Sequence, residues 1–361
     1  MPSLVAVLTI FVTLIGGTFS FRPETGGLQY ERLTEPIQLR QELGASQGVD
    51  PKAGNSWWSS SYLHASDDHD YLIVSHASTQ SPTTSTVIFR ASILDINDTT
   101  YYRQVSWKSN SFSGSGHVQE GPLNGHSKYF GFAIDDPANL LGPMRTWCIS
   151  DQVEFNITFE LSAPIILNGG IGTFPFGNEV TFEWSMPAGI TNGYFVKQRK
   201  ILEIDNARSM TWYDRQLIWP SDLTDGPVMS GWTWFELHVD ELKLSIWIWD
   251  TFDGRRFQFA TVREEPGVHQ VVAVTQFTPS SHQWTSPVSD ATYSLEWVVS
   301  LADGTSLKVS SVREDQEIYS MEEKVGTYEG YVEVTGTRDE HTISGYGLVE
   351  IIPASIVQNP S

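Results

Sequence analysis

The sequence predicts an all-β protein of two tandem β-barrel or β-sandwich domains with little helix. Its 361 residues contain many short runs rich in β-branched and aromatic side chains, the composition that strands favour. Turns rich in Asp, Asn, Gly and Pro interrupt these runs every ~8–12 residues, a spacing typical of sandwiches and barrels. No amphipathic helical pattern is evident in the sequence beyond a turn or two near residues 315–324. The core must therefore be built from strands.

The first predicted domain opens with an irregular lead-in at residues 21–55, which is polar and rich in Gly, Pro and Glu. Residues 152–161 and 180–186 alternate apolar and polar side chains, the pattern of half-buried strands. The shorter runs 71–76 and 86–90 are β-branched or aromatic and are bounded by turn residues, so they also predict strands.

The second half repeats this pattern. Asp240-Glu241 separates two apolar runs and predicts a tight hairpin. A break at residues 204–206 divides the chain into a predicted N-terminal domain at 21–204 and a C-terminal domain at 205–361. Strands are predicted in this half at residues 235–239, 242–249, 293–299, 306–309, 328–336 and 345–352.

Charge excludes two classes of partner. The net charge of −21 is spread over the chain, whereas nucleic acids and anionic membrane surfaces attract basic faces. Charged residues make up only 18% of the chain, and the 13 tryptophans are unusually many. Because indole rings suit both cores and apolar binding cavities, this composition is compatible with a hydrophobic small molecule as the partner. Nothing in the sequence fixes the oligomeric state.

The N-terminus predicts entry into the secretory pathway, followed by secretion or retention in an internal compartment. Residues 1–20 hold a short apolar run that ends in small residues, which is typical of a cleaved signal peptide. No later run is long enough for stable membrane insertion as a helix. Asn97 and Asn156 begin glycosylation sequons. Cys148 is the sole cysteine, so no internal disulfide can form, and an apolar setting predicts a buried, inert thiol.

The densest functional window is residues 211–216, where aromatic rings lie beside groups that can form hydrogen bonds. Tyr213, Arg215 and Gln216 can donate to a ligand, and Asp214 is a candidate acid. A second candidate acid, Glu329, lies in aromatic sequence, as does Glu350. Sequence reasoning therefore nominates as catalytic residues Tyr213, Asp214, Arg215, Gln216 and Glu329. It nominates as substrate-binding walls Trp57, Trp58, Trp212, Trp234 and Tyr328.

Metal and cofactor motifs are not found in the sequence. The glycine-rich residues 169–177 lack the spacing of a phosphate loop. His64, His69 and His76 are spaced unlike a helical zinc pair. No Gly-x-Ser-x-Gly elbow marks a serine nucleophile. We therefore expect neither a metal nor a cofactor.

Short motifs along the chain resemble, in order, those of the carotenoid-hydratase/AttH family, from about residue 55 to residue 352. They are Trp57-Trp58, Trp212-Tyr213-Asp214-Arg215-Gln216, Gly231-Trp232-Thr233-Trp234-Phe235, Trp284-Thr285-Ser286, Asp315-Gln316-Glu317, Tyr328-Glu329-Gly330-Tyr331-Val332 and Gly345-Tyr346-Gly347-Leu348-Val349-Glu350. The resemblance implies two lipocalin-like β domains, a ligand cavity at or near their junction, and no redox cofactor.

Within that family the 212–216 motif and the secretory start are most similar to fungal secondary-metabolite members. These include Diels–Alderases, which cyclise polyketide-derived chains, and enzymes of the kievitone-hydratase type, which add water to a prenyl double bond. The resemblance implies a cofactor-free [4+2] cyclase as the first hypothesis and a hydratase as the alternative. A secreted, non-catalytic ligand-binding β-protein is a third hypothesis, since the same aromatic residues would serve it.

Overall fold

The computed structural model describes residues 21–25, 43–79, 87–109, 129–136, 138–220, 228–264, 268–321 and 324–355. Within these residues the protein is almost entirely β, so the predicted fold class is confirmed. The predicted signal peptide at residues 1–20 lies outside the described part. No described helix is long and apolar enough to cross a membrane.

A first sheet of twelve strands occupies the N-terminal part of the chain. Its strands are β1 (Gly54–His64), β2 (Asp70–Thr79), β3 (Val87–Asp95), β4 (Tyr102–Ser109), β5 (Phe130–Ile134), β6 (Met144–Ile149), β7 (Glu154–Phe159), β8 (Ile166–Leu167), β9 (Thr173–Phe176), β10 (Glu179–Lys197), β11 (Lys200–Glu203) and β12 (Met210–Trp219). The main path runs β4-β3-β2-β1-β12-β10-β7-β6-β5, and the three short strands pair with β10. A one-turn helix α1 (Leu43–Ser46) precedes it, and a 3₁₀ turn (Asn168–Gly170) lies within it.

The second sheet closes into a barrel. Its strands are β13 (Met229–Val239), β14 (Leu242–Thr251), β15 (Arg256–Glu264), β16 (Val268–Pro279), β19 (Glu296–Leu301), β20 (Ser306–Ser311), β21 (Glu317–Ser320), β22 (Val325–Arg338) and β23 (His341–Ile352). β20 pairs with β22 as well as β19, which completes a ring of eight strands. β17 (Gln283–Thr285) and β18 (Thr292–Ser294) form a separate two-stranded hairpin.

The junction between the sheets lies later than the predicted domain boundary at residue 204. That boundary falls between β11 and β12, yet β12 pairs with both β1 and β10 of the first sheet. The first sheet therefore continues to Trp219, and the second begins at Met229. The break at residues 204–206 is a turn within the first sheet, since Asp205 N–H donates to His64 O across 2.9 Å.

The barrel places apolar side chains on both of its surfaces. Phe235 and Leu237 of β13 point inward and belong to the interior core. Because side chains alternate across a strand, Trp234 points outward, and it joins the core of the first sheet instead. The outer wall of the barrel formed by β13, β14, β22 and β23 thus packs against the first sheet, and the seam between the two sheets is buried.

The first sheet curls around a core of its own. Ser75 on β2 and Thr146 on β6 are joined by a hydrogen bond of 2.6 Å between their hydroxyls, although several strands separate β2 from β6 in the sheet order. We call the enclosed surface the inner face and the surface that meets the barrel the outer face. Cys148 is fully buried in the core cluster of this sheet, and its burial raises the pKa of the thiol.

Arg215 fastens the segment after α1 to the inner face. Its guanidinium donates to Ser46 O at 2.7 Å and Gly48 O at 2.6 Å. It also donates to Asn55 Oδ1 at 2.9 Å and lies 4.2 Å from the centre of the Trp57 ring. Several fixed acceptors satisfy the N–H donors of the planar guanidinium group, so the buried charge of Arg215 has a structural role.

Replacing Arg215 with Lys should destabilise the fold by roughly 3 kcal/mol, because a point-like ammonium leaves several buried acceptors unpaired. Urea unfolding followed by tryptophan fluorescence measures the loss. Arg208, whose side chain is 52% exposed, supplies the control: Arg208→Lys should change stability by less than about 0.5 kcal/mol. Equal stability of the two variants would contradict a structural role for Arg215.

Candidate active site

A cavity of about 520 Å³ lies at the seam, between the outer face of the first sheet and the outer wall of the barrel. A volume of this size suits a drug-sized ligand. The interior of the barrel is not the site, because it is filled by its own apolar core. The family resemblance implied a cavity at the junction of the two domains, and the cavity lies at that junction.

The first wall of the cavity is a row of side chains aligned across four strands. Arg90, His76, Trp58 and Asp214 are register partners on β3, β2, β1 and β12. Residues in register share one face of a sheet, so all four side chains reach the cavity. The next row on the same face carries Gln216 and its register partner, Glu183, on β10.

The opposite wall is a second row on the barrel. Glu329, Glu350, Trp234 and Trp247 are register partners on β22, β23, β13 and β14. The two walls meet at Trp58, whose Nε1–H donates to Glu329 Oε2 across 3.1 Å. The Trp58 ring also meets the Trp234 ring edge-on, at a centroid distance of 5.1 Å. Aromatic surface and carboxyl groups therefore face the same enclosed space.

Indole N–H groups fix the orientation of three carboxyl groups here. Besides the Trp58–Glu329 contact, Trp212 Nε1–H donates to Asp214 Oδ1 at 2.8 Å. Trp232 Nε1–H donates to Glu350 Oε1 at 2.7 Å. An indole can only donate, so the oxygen that it contacts accepts. When Asp214 or Glu350 is protonated, its proton is therefore carried by the oxygen that the indole does not contact.

Burial raises the pKa values of three carboxyl groups at the cavity, those of Asp214, Glu350 and Glu183. Desolvation raises the pKa of Asp214 to about 7, against the lowering effect of hydrogen bonds from Ser185 and Trp212. Desolvation, with repulsion from Glu329, raises the pKa of Glu350 to about 8. Desolvation likewise raises the pKa of Glu183, and the nearby Asp214 adds to the effect. Neutral carboxylic acids in an apolar site are suited to donate protons.

His76 supplies a neutral base beside these acids. Its Nε2 lies 3.0 Å from Ser56 Oγ, and its Nδ1 lies 3.8 Å from Glu329 Oε1. Desolvation lowers the pKa of His76 despite the nearby Glu329. The ligand atoms of His76, Glu329 and Glu350 lie within 4.8 Å of one another. This trio could hold a metal ion, a grouping that sequence spacing did not predict.

The nominated site residues divide between the two faces. Trp58, Asp214, Gln216 and Trp234 line the cavity. Trp212 and Glu329 hydrogen-bond to residues that line it. Six of the ten nominated residues therefore lie in or beside the cavity wall.

The remaining four nominated residues point elsewhere, because neighbours along a strand face opposite sides. On the inner face, Trp57 donates to Gln47 O at 3.1 Å and Tyr213 donates to Gln47 Oε1 at 2.6 Å. Arg215 also lies on that face. Tyr328 belongs to the barrel's interior core, where its hydroxyl donates to Arg313 O at 2.9 Å. These four side chains do not line the cavity.

Sequence reasoning missed several residues that line the cavity. His76 was considered only as a zinc ligand, together with two histidines that instead contact Asp70 and Asp95. Glu183 lies on a strand in which apolar and polar residues alternate, and that pattern predicts a polar face exposed to solvent. Polar residues inside long β runs were the only signal in the sequence for these cavity residues. That the outer face of the first sheet is covered becomes clear only from the packing of the barrel. The other missed lining residues include Arg90, Phe176, Trp232 and Trp247.

The glycosylation hypotheses remain predictions. Asn97 is exposed in the turn after β3, and its Oδ1 accepts from Asp70 N–H at 2.6 Å. Asn156 is half-buried on β7, between its strand partners Trp147 and Tyr194.

Stability should fall as pH rises, with a flatter dependence in the Asp214→Asn variant. The folded pKa of Asp214, about 7, exceeds the unfolded value of about 4. The folded chain therefore holds an extra proton between these values, and its stability declines from about pH 4 until the loss is complete near pH 7. Thermal unfolding between pH 4 and 8 measures this. The exposed control, Asp151→Asn, should keep the wild-type slope, and an unchanged slope in Asp214→Asn would contradict the assignment.

Comparison with known proteins gives two curated relatives over nearly the whole chain. Kievitone hydratase of Fusarium solani subsp. phaseoli is 31% identical over 339 residues, which cover 92% of this chain and 91% of that protein. Dehydratase asqC of Emericella nidulans is 29% identical over 362 residues, which cover 97% of this chain and 99% of that protein.

Solved structures agree with the fold. The crystal structure of kievitone hydratase from Nectria haematococca superimposes with a TM-score of 0.77 at 30% identity, covering 93% of this chain and 98% of that one. CghA, a Diels–Alderase, superimposes with a TM-score of 0.53 at 10% identity, covering 94% and 99%, and this likeness concerns the fold alone. The profile described as AttH-like matches residues 74–352. The chain belongs to the AttH-like family.

Proposed function

We propose that this protein adds water to, or removes water from, a carbon–carbon double bond of an isoprenoid or similar hydrophobic metabolite. The observation that carries the proposal is the buried Asp214 carboxyl group, whose pKa is raised to about 7, in a cavity walled by tryptophan. Protonating an alkene requires a carboxylic acid that keeps its proton near neutral pH. Aromatic faces beside it can stabilise the carbocation that forms.

The relatives support both directions of this reaction. One is named a hydratase and the other a dehydratase. Hydration and dehydration pass through the same carbocation in opposite directions, so a single set of acid and base groups serves both. The direction in a given protein then depends on the substrate and on the equilibrium, not on a different site.

The proposed steps use groups on both sides of Trp58. Asp214 gives its proton to the alkene, and the resulting tertiary cation lies against the rings of Trp58 and Trp234. Water adds to the cation as neutral His76 removes a proton from the water. Exchange with solvent then removes that proton from His76 and returns a proton to Asp214. His76 and Asp214 are the strand partners of Trp58 on either side, which places their backbones about 10 Å apart and leaves room for substrate and water between them.

Glu329 supports the base in this scheme. Its Oε1 lies 3.8 Å from His76 Nδ1, so a negative charge there would stabilise the imidazolium that forms. Glu350, the strand partner of Glu329, keeps its proton because its pKa is raised to about 8. A negative charge on Glu329 beside His76 would therefore have no second negative charge on Glu350 next to it.

Cyclisation, the first hypothesis from sequence, is placed second here. A [4+2] cycloaddition transfers no proton and depends chiefly on orienting the substrate, so it gives the raised pKa values of Asp214 and Glu350 no task. The likeness to CghA concerns the fold alone. A carrier without catalysis would likewise leave these acids without a role.

Asp214→Asn should lower the rate of water addition by about 10²-fold or more, since an amide cannot give up the proton. The test incubates the purified protein with kievitone and with a simple prenylated phenol, and follows the gain of one water by mass spectrometry. Tyr213→Phe is the matched control because its hydroxyl contacts Gln47 on the inner face, and it should keep the wild-type rate. A product of unchanged mass would point to cyclisation, and unaltered ligand to a carrier.

The rate should decline as the pH rises through about 7, because Asp214 is then increasingly ionised. On the acid side, activity should persist below the ordinary pKa of histidine, since desolvation lowers the pKa of His76. Initial rates at low substrate concentration, which report the free enzyme, give this profile. A rate that climbs steadily above pH 8 would exclude Asp214 as the acid.

A further inference from the structure

Arg90 is a cation that lines the cavity and has no hydrogen-bonding or ionic partner among the described residues. Its half-buried side chain lies at the β3 end of the first wall. Its charge acts on His76 and Glu350, yet no hydrogen bond or ion pair joins it to any residue in the part of the chain that the structure describes. Arginines in enclosed settings are ordinarily paired. A guanidinium with free N–H donors facing a ligand cavity is therefore built to receive an acceptor from the ligand.

Trp247 presents a second unmet donor on the barrel wall. Its side chain is 4% exposed, and its Nε1–H has no acceptor among the described residues. The other indoles of the cavity are satisfied: Trp58 by Glu329, Trp232 by Glu350, and Trp234 by Ser245 at 2.9 Å. An indole nitrogen can only donate, so an oxygen acceptor has to come from what the cavity binds.

These two donors lie towards opposite ends of the cavity. Arg90 is on β3, whereas Trp247 packs edge-on against Phe176 at a centroid distance of 5.3 Å, and the strand of Phe176, β9, pairs with β10. Four strand spacings separate β3 from β10 in the sheet order, about 19 Å when measured along the curved sheet. Asp214, on β12, lies between them. The cavity therefore offers an acid flanked by two sites for oxygen atoms.

We infer that the substrate is an elongated amphipathic molecule with an acidic oxygen group at one end, a carboxylate or an ionised phenol or enol, which Arg90 binds. A neutral oxygen at the other end accepts from Trp247 Nε1–H, and the reacting carbons lie between them beside Asp214. This inference rests on the proposed function for the position of the reacting carbons. Recognition by Arg90 and Trp247 is a binding property and can be measured without turnover.

The test compares two ligands that differ only in charge: a benzoic acid with a saturated branched alkyl tail in the para position, and its methyl ester. Neither contains a double bond, so neither can react. Titration calorimetry on the wild-type protein should show the acid binding about tenfold tighter than the ester, the range expected of a charge-assisted contact. Arg90→Gln should abolish this preference while leaving ester affinity within about twofold of wild type.

Several controls keep the outcome clear. Arg90→Lys retains a charge and should restore part of the preference, which also serves if Arg90→Gln folds poorly. Arg208→Gln removes an arginine that is 52% exposed and should change neither affinity. A second pair of ligands tests Trp247: one carries a terminal ketone on the tail, and the other has a methylene group in its place. Trp247→Phe should weaken binding of the ketone and leave binding of the methylene compound unchanged.

Equal affinity of wild type for acid and ester would overturn the inference. So would equal losses for both ligands in Arg90→Gln, because Arg90 would then act only through Glu350 and His76. If the protein adds no water but still binds the acid more tightly than the ester, the proposed reaction is contradicted and the inference about Arg90 stands.

Discussion

The hydrogen bond from Trp58 to Glu329 is the contact on which the site depends. It crosses the seam between the two sheets at 3.1 Å, and the same indole packs edge-on against Trp234. A single side chain thus joins the walls by one polar and one aromatic interaction. Because Trp58 is the strand partner of both His76 and Asp214, the contact also sets how far the candidate base and acid lie from the barrel.

The seam between the two sheets buries more polar groups than an ordinary interface between β sheets does. Asp214, Glu183 and Glu350 are all buried, and indole N–H groups satisfy Asp214 and Glu350 instead of cations. An ion pair with a cation would have held these groups ionised, whereas burial without such a pair raises their pKa values. The arrangement costs stability at neutral pH. The apolar cores on the inner face and inside the barrel offset that cost, and an interface kept destabilised in this way is typical of a functional site.

The fold and part of the site could be predicted from residues alone. Alternating patterns predicted strands at 152–161 and 180–186, where β7 and part of β10 are found, and ordered motifs pointed to the family. The dense window at 211–216 was interpreted as functional with its side chains treated as one group, and it lies in a strand, β12. Strand geometry sends Asp214 and Gln216 to the cavity, and Tyr213 and Arg215 to the inner face. The predicted domain boundary was placed at a turn between β11 and β12, because a turn inside a sheet and a linker between sheets have similar compositions.

The sequence by itself determined the β class and the buried thiol of Cys148, and it indicated Asp214 as one of three candidate acids, since these follow from periodicity, hydropathy and residue type. Only the tertiary structure decided which face of each strand becomes the cavity wall. Both faces of the first sheet are covered, one by its own curl and one by the barrel, so hydropathy alternation cannot tell them apart. His76, Arg90 and Glu183 gain their significance from strands distant in sequence, because burial and proximity, which shift pKa values and leave donors unpaired, are properties of packing.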